Sequence, residues 1–247
     1  MALIEVRDVH KSFGPQPVLR GASLSIEKGE AVVIIGRSGG GKSVLLKHLI
    51  GLLPPDRGQV LVDGADLGRM DERALLGIRK RFGMLFQMAA LFDSLNVREN
   101  IAFGLRRAGR HTEGELRRLV AEALEMVELP GIEAKMPAEL SGGMRKRVGL
   151  ARAIVYRPEI VLYDEPTTGL DPIAADRIDR LIRRVWEQLA VTSIAVTHDM
   201  KSARLISNRL LMLHAGAIHA DGPTARLLES TDPVLYNFVN GIADEKD

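Results

Sequence analysis

The sequence predicts an α/β fold: a core of buried strands and helices, interrupted by an all-helical insertion and fronted by an N-terminal antiparallel β subdomain. Three observations predict it. The apolar run Ala31-Val32-Val33-Ile34-Ile35 leads through a glycine loop into Val44-Leu45-Leu46-Lys47-His48-Leu49-Ile50, which is the order buried strand, loop, helix. A second apolar run, Ile160-Val161-Leu162-Tyr163, ends in Asp164-Glu165. Between them, from Met88 to about Ala151, strand-like runs disappear and helical spacing takes over.

At 247 residues the chain suits a single domain with room for an insertion. The boundaries expected are 1–87 and 155–247 for the core and 88–154 for the helical subdomain. There is no cysteine, so no disulfide frame and no thiolate metal site. The formal charge is +2 and no Lys/Arg block occurs, so no nucleic-acid partner is expected. No apolar run approaches the ~18 residues that span a bilayer, so a membrane role would come through a partner. Met1 to His10 alternates in character and reads as a strand, not a signal peptide.

In order, Leu3 to Val9 reads as an edge strand, Lys11-Ser12-Phe13-Gly14 as a turn, and Val18–Leu19 and Ala22–Ile26 as two short strands. After the loop and its helix, Leu52 to Gly58 breaks the chain. Gln59 to Val62 is a strand followed by an Asp63-Gly64 turn. Glu72 to Arg81 is a short basic helix, and Phe82 to Phe86 a buried strand ending at Gln87. Helices are expected over Val97–Leu105, Glu113–Glu128 and Met144–Tyr156. The middle one puts Leu116, Leu119, Val120, Ala123, Leu124 and Val127 on one face. Beyond the Asp-Glu strand come a helix over Ala174–Leu189 with Trp186 as packing, a strand over Thr192–Val196, a hairpin of Arg209–Leu213 with Ala217–His219, and two short helices. The last shows an apolar face of Val234, Leu235, Phe238, Val239 and Ile242, read as core in preference to a partner surface.

Gly36-Arg37-Ser38-Gly39-Gly40-Gly41-Lys42-Ser43 fits the phosphate-loop pattern G-x-x-x-x-G-K-[ST] in its required context. Glycines let successive N–H groups turn inward toward phosphate oxygens, and the helix dipole adds to that field. Lys42 can reach the β- and γ-phosphates and the Ser43 hydroxyl can ligate Mg²⁺. Asp164, at the carboxyl end of a buried strand, can hold Mg²⁺, and Glu165 can polarise water as a general base. Leu140-Ser141-Gly142-Gly143-Met144 opens a basic helix and makes a second anion site, or a simple N-cap. One nucleotide needs one phosphate loop, so a second cradle points to a nucleotide held by another copy. Phe13 could stack on an adenine face or be an ordinary edge-strand hydrophobe.

The set resembles the ATP-binding subunit of an ABC transporter over essentially the whole chain. The P-loop, a Q-loop glutamine (Gln87), an LSGGQ-like signature, the Asp-Glu pair, a D-loop (Gly169-Leu170-Asp171) and a switch histidine (His198) occur in that family's order. The resemblance implies a head-to-tail dimer sandwiching two ATPs, with Ser141, Gly142, Gly143 and Met144 facing the nucleotide of the other subunit. It implies Glu165 as catalytic base, His198 at the γ-phosphate, Gln87 at Mg²⁺ and in coupling, and Phe13 on the adenine. The cofactor implied is Mg²⁺ with ATP, ligated by Ser43, Gln87 and Asp164.

Two residues depart from the family pattern. Val44 replaces a second hydroxyl after Ser43, leaving one α-phosphate contact to backbone N–H. Met144 replaces the signature Gln and cannot donate a hydrogen bond. Those departures, with Gly83-Met84-Leu85-Phe86-Gln87, Ala89-Ala90-Leu91-Phe92-Asp93, Met136-Pro137 and the Gly241-Ile242-Ala243-Asp244 tail, resemble the Mla-type ATPases. That resemblance implies a homodimer under two permease copies, at the cytoplasmic face of the inner membrane, moving phospholipids with a periplasmic MCE-domain protein. Some such systems add a STAS-domain regulator. The alternative is an importer ATPase for a polar solute such as an amino acid.

Overall fold

In the computed structural model, which describes residues 2–109 and 111–243, the N-terminal alternation forms β1 (Ile4–Phe13). It runs four residues past the expected end, and the turn shrinks to Gly14 and Pro15. The Asp56 carboxylate explains the extension. It accepts from the Ser12 amide at 2.7 Å and from the Lys11 ammonium at 2.7 Å, holding the strand end straight. The two short strands expected next are one, β2 (Gln16–Ile26). Gly21, at φ 86°, takes up an irregularity in the ladder that a side chain would resist, so pairing with β1 continues.

Strand β3 (Ala31–Ile35) is buried throughout and runs to the phosphate loop and α1 (Lys42–Leu49). Strands β4 (Arg57–Val62) and β5 (Ala65–Asp66) turn at Asp63-Gly64. Helix α2 (Glu72–Arg79) is capped by the Asp71 carboxylate and stops two residues early. Strand β6 (Phe82–Leu85) ends before Phe86. Three helices follow, each within a few residues of its expected span: α3 (Val97–Ala108), α4 (Glu113–Met126) and α5 (Gly142–Ile154). In α4, Leu116, Val120, Ala123 and Leu124 are buried, but Leu119 is only half-buried. Strand β7 (Ile160–Asp164) precedes α6 (Pro172–Leu189). The chain closes with β8 (Thr192–Thr197), α7 (Met200–Ile206), β9 (Arg209–His214), β10 (Ala217–Pro223), α8 (Thr224–Leu228) and α9 (Pro233–Asn240).

These elements group into two compact units, Met1–Lys80 with Thr192–Asp247, and Arg81–Val191. In the first, an antiparallel sheet has the order β2-β1-β4-β5. Beside it, β3 pairs in parallel with β8 and β9, and β10 closes antiparallel on β9. The five buried residues of β3 explain its position: a strand apolar on both faces belongs inside a parallel sheet. In the second unit β6 and β7 pair in parallel, Phe82 opposite Ile160 through Leu85 opposite Tyr163, and α3, α4 and α5 pack on one another.

The apolar face of the last helix is not core. Leu235 alone is fully buried; Val234, Phe238 and Val239 are half-exposed and Ile242 lies beyond the helix, exposed. Asp244 of the expected tail falls outside the described residues. Among the described residues no helix is long and apolar enough to cross a membrane.

Candidate functional site

In the first unit the chain leaves β3 at Gly36 and enters α1 at Lys42. Gly41, the N-cap, has φ 97°, and a Cβ there would meet Val18 Cγ1 at 2.9 Å, so both conformation and space require glycine. The Lys42 ammonium, buried, donates to the Gly36 carbonyl at 2.7 Å and the Arg37 carbonyl at 3.0 Å. That places a positive charge inside the curl of the loop, with Ser43 next to it at the start of α1. Anions gain there from the charge, the loop amides and the helix dipole together. His198 follows directly on β8, exposed. Arg37, Ser38 and His198 line one cleft of about 420 Å³, which Val234, Asn237 and Phe238 of α9 also line. Gly39, Gly40 and Val44 lie on the loop and the first turn as expected. Phe13 is at the end of β1, not in a turn; it is half-exposed and the Lys11 ammonium lies 5.8 Å from its ring centre.

In the second unit Asp164 ends β7 and Glu165 follows it, both buried. Glu165 sits at φ 47°, a left-handed conformation that costs a residue with a Cβ roughly 1–3 kcal/mol. Its carboxylate accepts from the Thr168 hydroxyl at 3.2 Å, and its backbone carbonyl accepts from the Lys146 ammonium at 3.2 Å. Lys146 is itself buried. Burial pushes its pKa down, and the charges of Asp164 and Glu165 push the other way. Gln87 is exposed in the turn after β6. The two residues that follow Met88, Ala89 and Ala90, have φ of 59° and 49°. Arg152 holds both, donating to the Ala89 and Ala90 carbonyls at 2.6 Å each.

Ser141 is the N-cap of α5, and its hydroxyl accepts from the Met144 amide at 3.3 Å. The helix therefore starts at Gly142, two residues before the expected Met144. Gly143 leaves room for close packing: a Cβ there would lie 3.4 Å from Ala174 Cβ at the start of α6. Asp171 caps that helix, accepting from the Ile173 and Ala174 amides at 3.0 Å. The signature turn and the Asp171 turn are thus neighbours. Lys146 and Arg152 were not identified from sequence. Each acts across 19 or more residues, and no local spacing reports such a contact.

These features have known counterparts. A family model described as ABC transporter matches residues 19–168. The chain belongs to the ABC transporter family. It is the ATP-binding, ATP-hydrolysing subunit type of that family, on the mixed α/β cassette fold. It is 44% identical, over 99% of its length and 72% of the other's, to the probable ribonucleotide transport ATP-binding protein mkl of Mycobacterium leprae. It is 40% identical, over 98% of its length and 92% of the other's, to the intermembrane phospholipid transport system ATP-binding protein MlaF of Haemophilus influenzae. It is 41% identical, over 90% of its length and 60% of the other's, to the methionine import ATP-binding protein MetN of Mesorhizobium japonicum. A solved ABC cassette, dimeric in a post-hydrolysis state with ADP and Pi, superposes with a TM-score of 0.82 at 32% identity, covering 90% of this chain and 98% of that one.

Proposed function

We propose that this ABC ATPase is the homodimeric motor of a phospholipid transporter, working beneath a permease and with an MCE-domain lipid-binding protein. The observation that carries the cargo is the MlaF resemblance, which reaches across 98% of the chain. Methionine importers match at 41% and 37% identity over 90% and 98% of it, but over only 60% and 66% of their own length against 92% for MlaF. Those relatives and the printed name of the mycobacterial one favour a second reading, an importer of a polar solute. A STAS-domain regulator stays part of the lipid reading.

In both readings ATP binds the Gly36–Ser43 loop with Lys42 on its terminal phosphates, Phe13 on its adenine and His198 at the γ-phosphate. Glu165 is the base that polarises the attacking water. Asp164 belongs beside the metal. Mg²⁺ suits the donors assigned to it: a hydroxyl, an amide oxygen and a carboxylate at Ser43, Gln87 and Asp164 are all hard oxygens. Bound with ATP, it would neutralise phosphate charge as the terminal bond breaks. Ser141, Gly142, Gly143 and Met144 face the nucleotide of the second copy, and Asp171 sits beside them. We assign 88–154 as the subdomain that carries the signature, with 1–87 and 155–247 as its core.

A surface feature of the second unit supports a permease partner. Leu95, Glu99, Phe103, Arg106 and Arg107 line an open groove of about 310 Å³, and the Phe103 ring packs 4.6 Å from that of Phe92. Both rings are more than a third exposed, and Met88 is 85% exposed. Exposed aromatic surface of this kind fits an apolar segment of a membrane protein at the cytoplasmic face.

Glu165→Gln is expected to keep ATP binding, lower kcat by about a hundredfold or more, and accumulate an ATP-bound dimer on size exclusion. A variant that stays monomeric with ATP would overturn the sandwich. For the cargo, affinity purification of the tagged chain in mild detergent should return a permease, an MCE-domain protein and co-purifying phospholipid by mass spectrometry. Recovery of a solute-binding protein without lipid would replace the cargo and leave the motor.

A further inference from the structure

We propose that Lys146 is a positioning residue that ties the signature helix to the backbone of Glu165, so that nucleotide engaged by one signature turn is sensed at the base serving the other nucleotide. The inference rests on Glu165 as base and on the dimer, as proposed above.

Lys146 lies five residues after Ser141, on the second turn of α5, a helix that moves as one body with its N-cap. Its ammonium reaches the Glu165 carbonyl at 3.2 Å and both groups are buried. Glu165 is held at φ 47°. A residue with a Cβ stays in that region only when its surroundings fix it. The Lys146 bond fixes the peptide on the carbonyl side, and the Thr168 hydroxyl fixes the carboxylate. A displacement of α5 at Ser141 therefore pulls on the peptide that aims the Glu165 side chain. A lysine need not be buried to fill space. A methionine would do so without the cost of desolvating a charge, so the ammonium is explained by what it bonds and by the two carboxylates beside it.

The link connects two different nucleotides. By family resemblance the Ser141 turn faces the nucleotide of the other copy, whereas Glu165 serves the nucleotide in its own phosphate loop. Lys146 joins the two within one chain, which is the coupling that cooperative hydrolysis needs.

The test uses the full chain, with ATPase rate measured against ATP concentration. Lys146→Met should lower kcat about tenfold with KM for ATP within about twofold, because ground-state binding is untouched. The Hill coefficient should fall from near 2 toward 1, two being the limit set by two sites. A folded Lys146→Met chain with wild-type kcat and Hill coefficient overturns the proposal. A tenfold loss with the Hill coefficient unchanged overturns the coupling. If Lys146→Met melts too low to assay, Lys146→Gln decides: its amide can still donate to the carbonyl, so cooperativity should persist, and a folded Gln variant without it overturns the proposal. Glu165→Gln is run in parallel. If that variant still turns over at the wild-type rate, the assignment of the base has failed, whatever Lys146 does.

Discussion

Arg152 spends a half-buried guanidinium on two consecutive carbonyls, those of Ala89 and Ala90, in the loop that follows Gln87. Alanine gains nothing locally from a left-handed backbone, so these two peptides depend on the clamp. Gly149, one turn earlier on α5, lets the loop close in: a Cβ there would meet Ala89 Cβ at 3.2 Å. Arg152→Met should cost about 2–4 kcal/mol of stability in urea melts, since hydrogen bonds to a charged group contribute about 1.5–3 kcal/mol each. Amide exchange should rise over residues 86–92. An unchanged exchange pattern would show that the loop holds its shape unaided. The phosphate loop, the Asp-Glu pair and the Ser141 turn were legible in the sequence as motifs because the residues of each lie next to one another in the chain. Arg152 was not, because its partners lie 62 and 63 residues away.

Among the elements, α3 shows how a helix start fixes the surface before it. Asn96 caps the Glu99 amide, and the Glu99 carboxylate returns to the Asn96 amide. One turn in, the fully buried Asn100 accepts from the Phe92 amide and donates to the carbonyls of Phe92, Leu95 and Asn96. Its amide thereby sets the Phe92–Asn96 turn, which shapes the groove at Leu95 and Phe103. Asn100→Leu should lower stability by about 2–4 kcal/mol, through orphaned backbone groups. It should also weaken co-purification of the proposed permease partner more than Asn96→Ala, a cap loss of about 1 kcal/mol. Equal effects would detach Asn100 from the groove. The periodicity that exposed α3, α4 and α6 in the sequence could not show this turn. The β1 and β2 ladder was misread for a related reason. Asp8 at φ 48° and Gly21 interrupt the pattern locally while cross-strand pairing carries the strands on. The last helix was misread because an apolar face does not say what covers it.

For the whole molecule, acid sensitivity begins at one ring. His48 donates from Nδ1 to the Val44 carbonyl at 2.7 Å, and its Nε2 is buried without a hydrogen-bond partner. Burial is the chief cause that pushes its pKa below the ordinary value near 6.5. The unfolded ring takes up a proton near 6.5 and the folded ring resists it, so stability is full above that pH and declines below it. The melting temperature should fall between about pH 7 and 5, and His48→Gln should flatten that interval. An identical slope in the variant would assign the effect elsewhere. Below about pH 4 a second decline is expected. Asp56, Glu115 and Asp232 are held below the usual carboxylate range, chiefly by hydrogen bonds from Lys11, Thr112 and Leu235, and that support is lost on protonation.

The turn between β9 and β10 brings Gly216 against the outer strand of the antiparallel sheet, where its carbonyl accepts from the Arg20 amide at 2.8 Å. A Cβ on Gly216 would meet the Val18 carbonyl oxygen at 2.9 Å, so the approach depends on glycine. Strand β2 is eleven residues long and, at the edge of its sheet, would otherwise offer its free backbone groups to any passing extended peptide. The Gly216 turn occupies the middle of that edge. A feature that reads as a simple hairpin reversal is also a guard against aggregation.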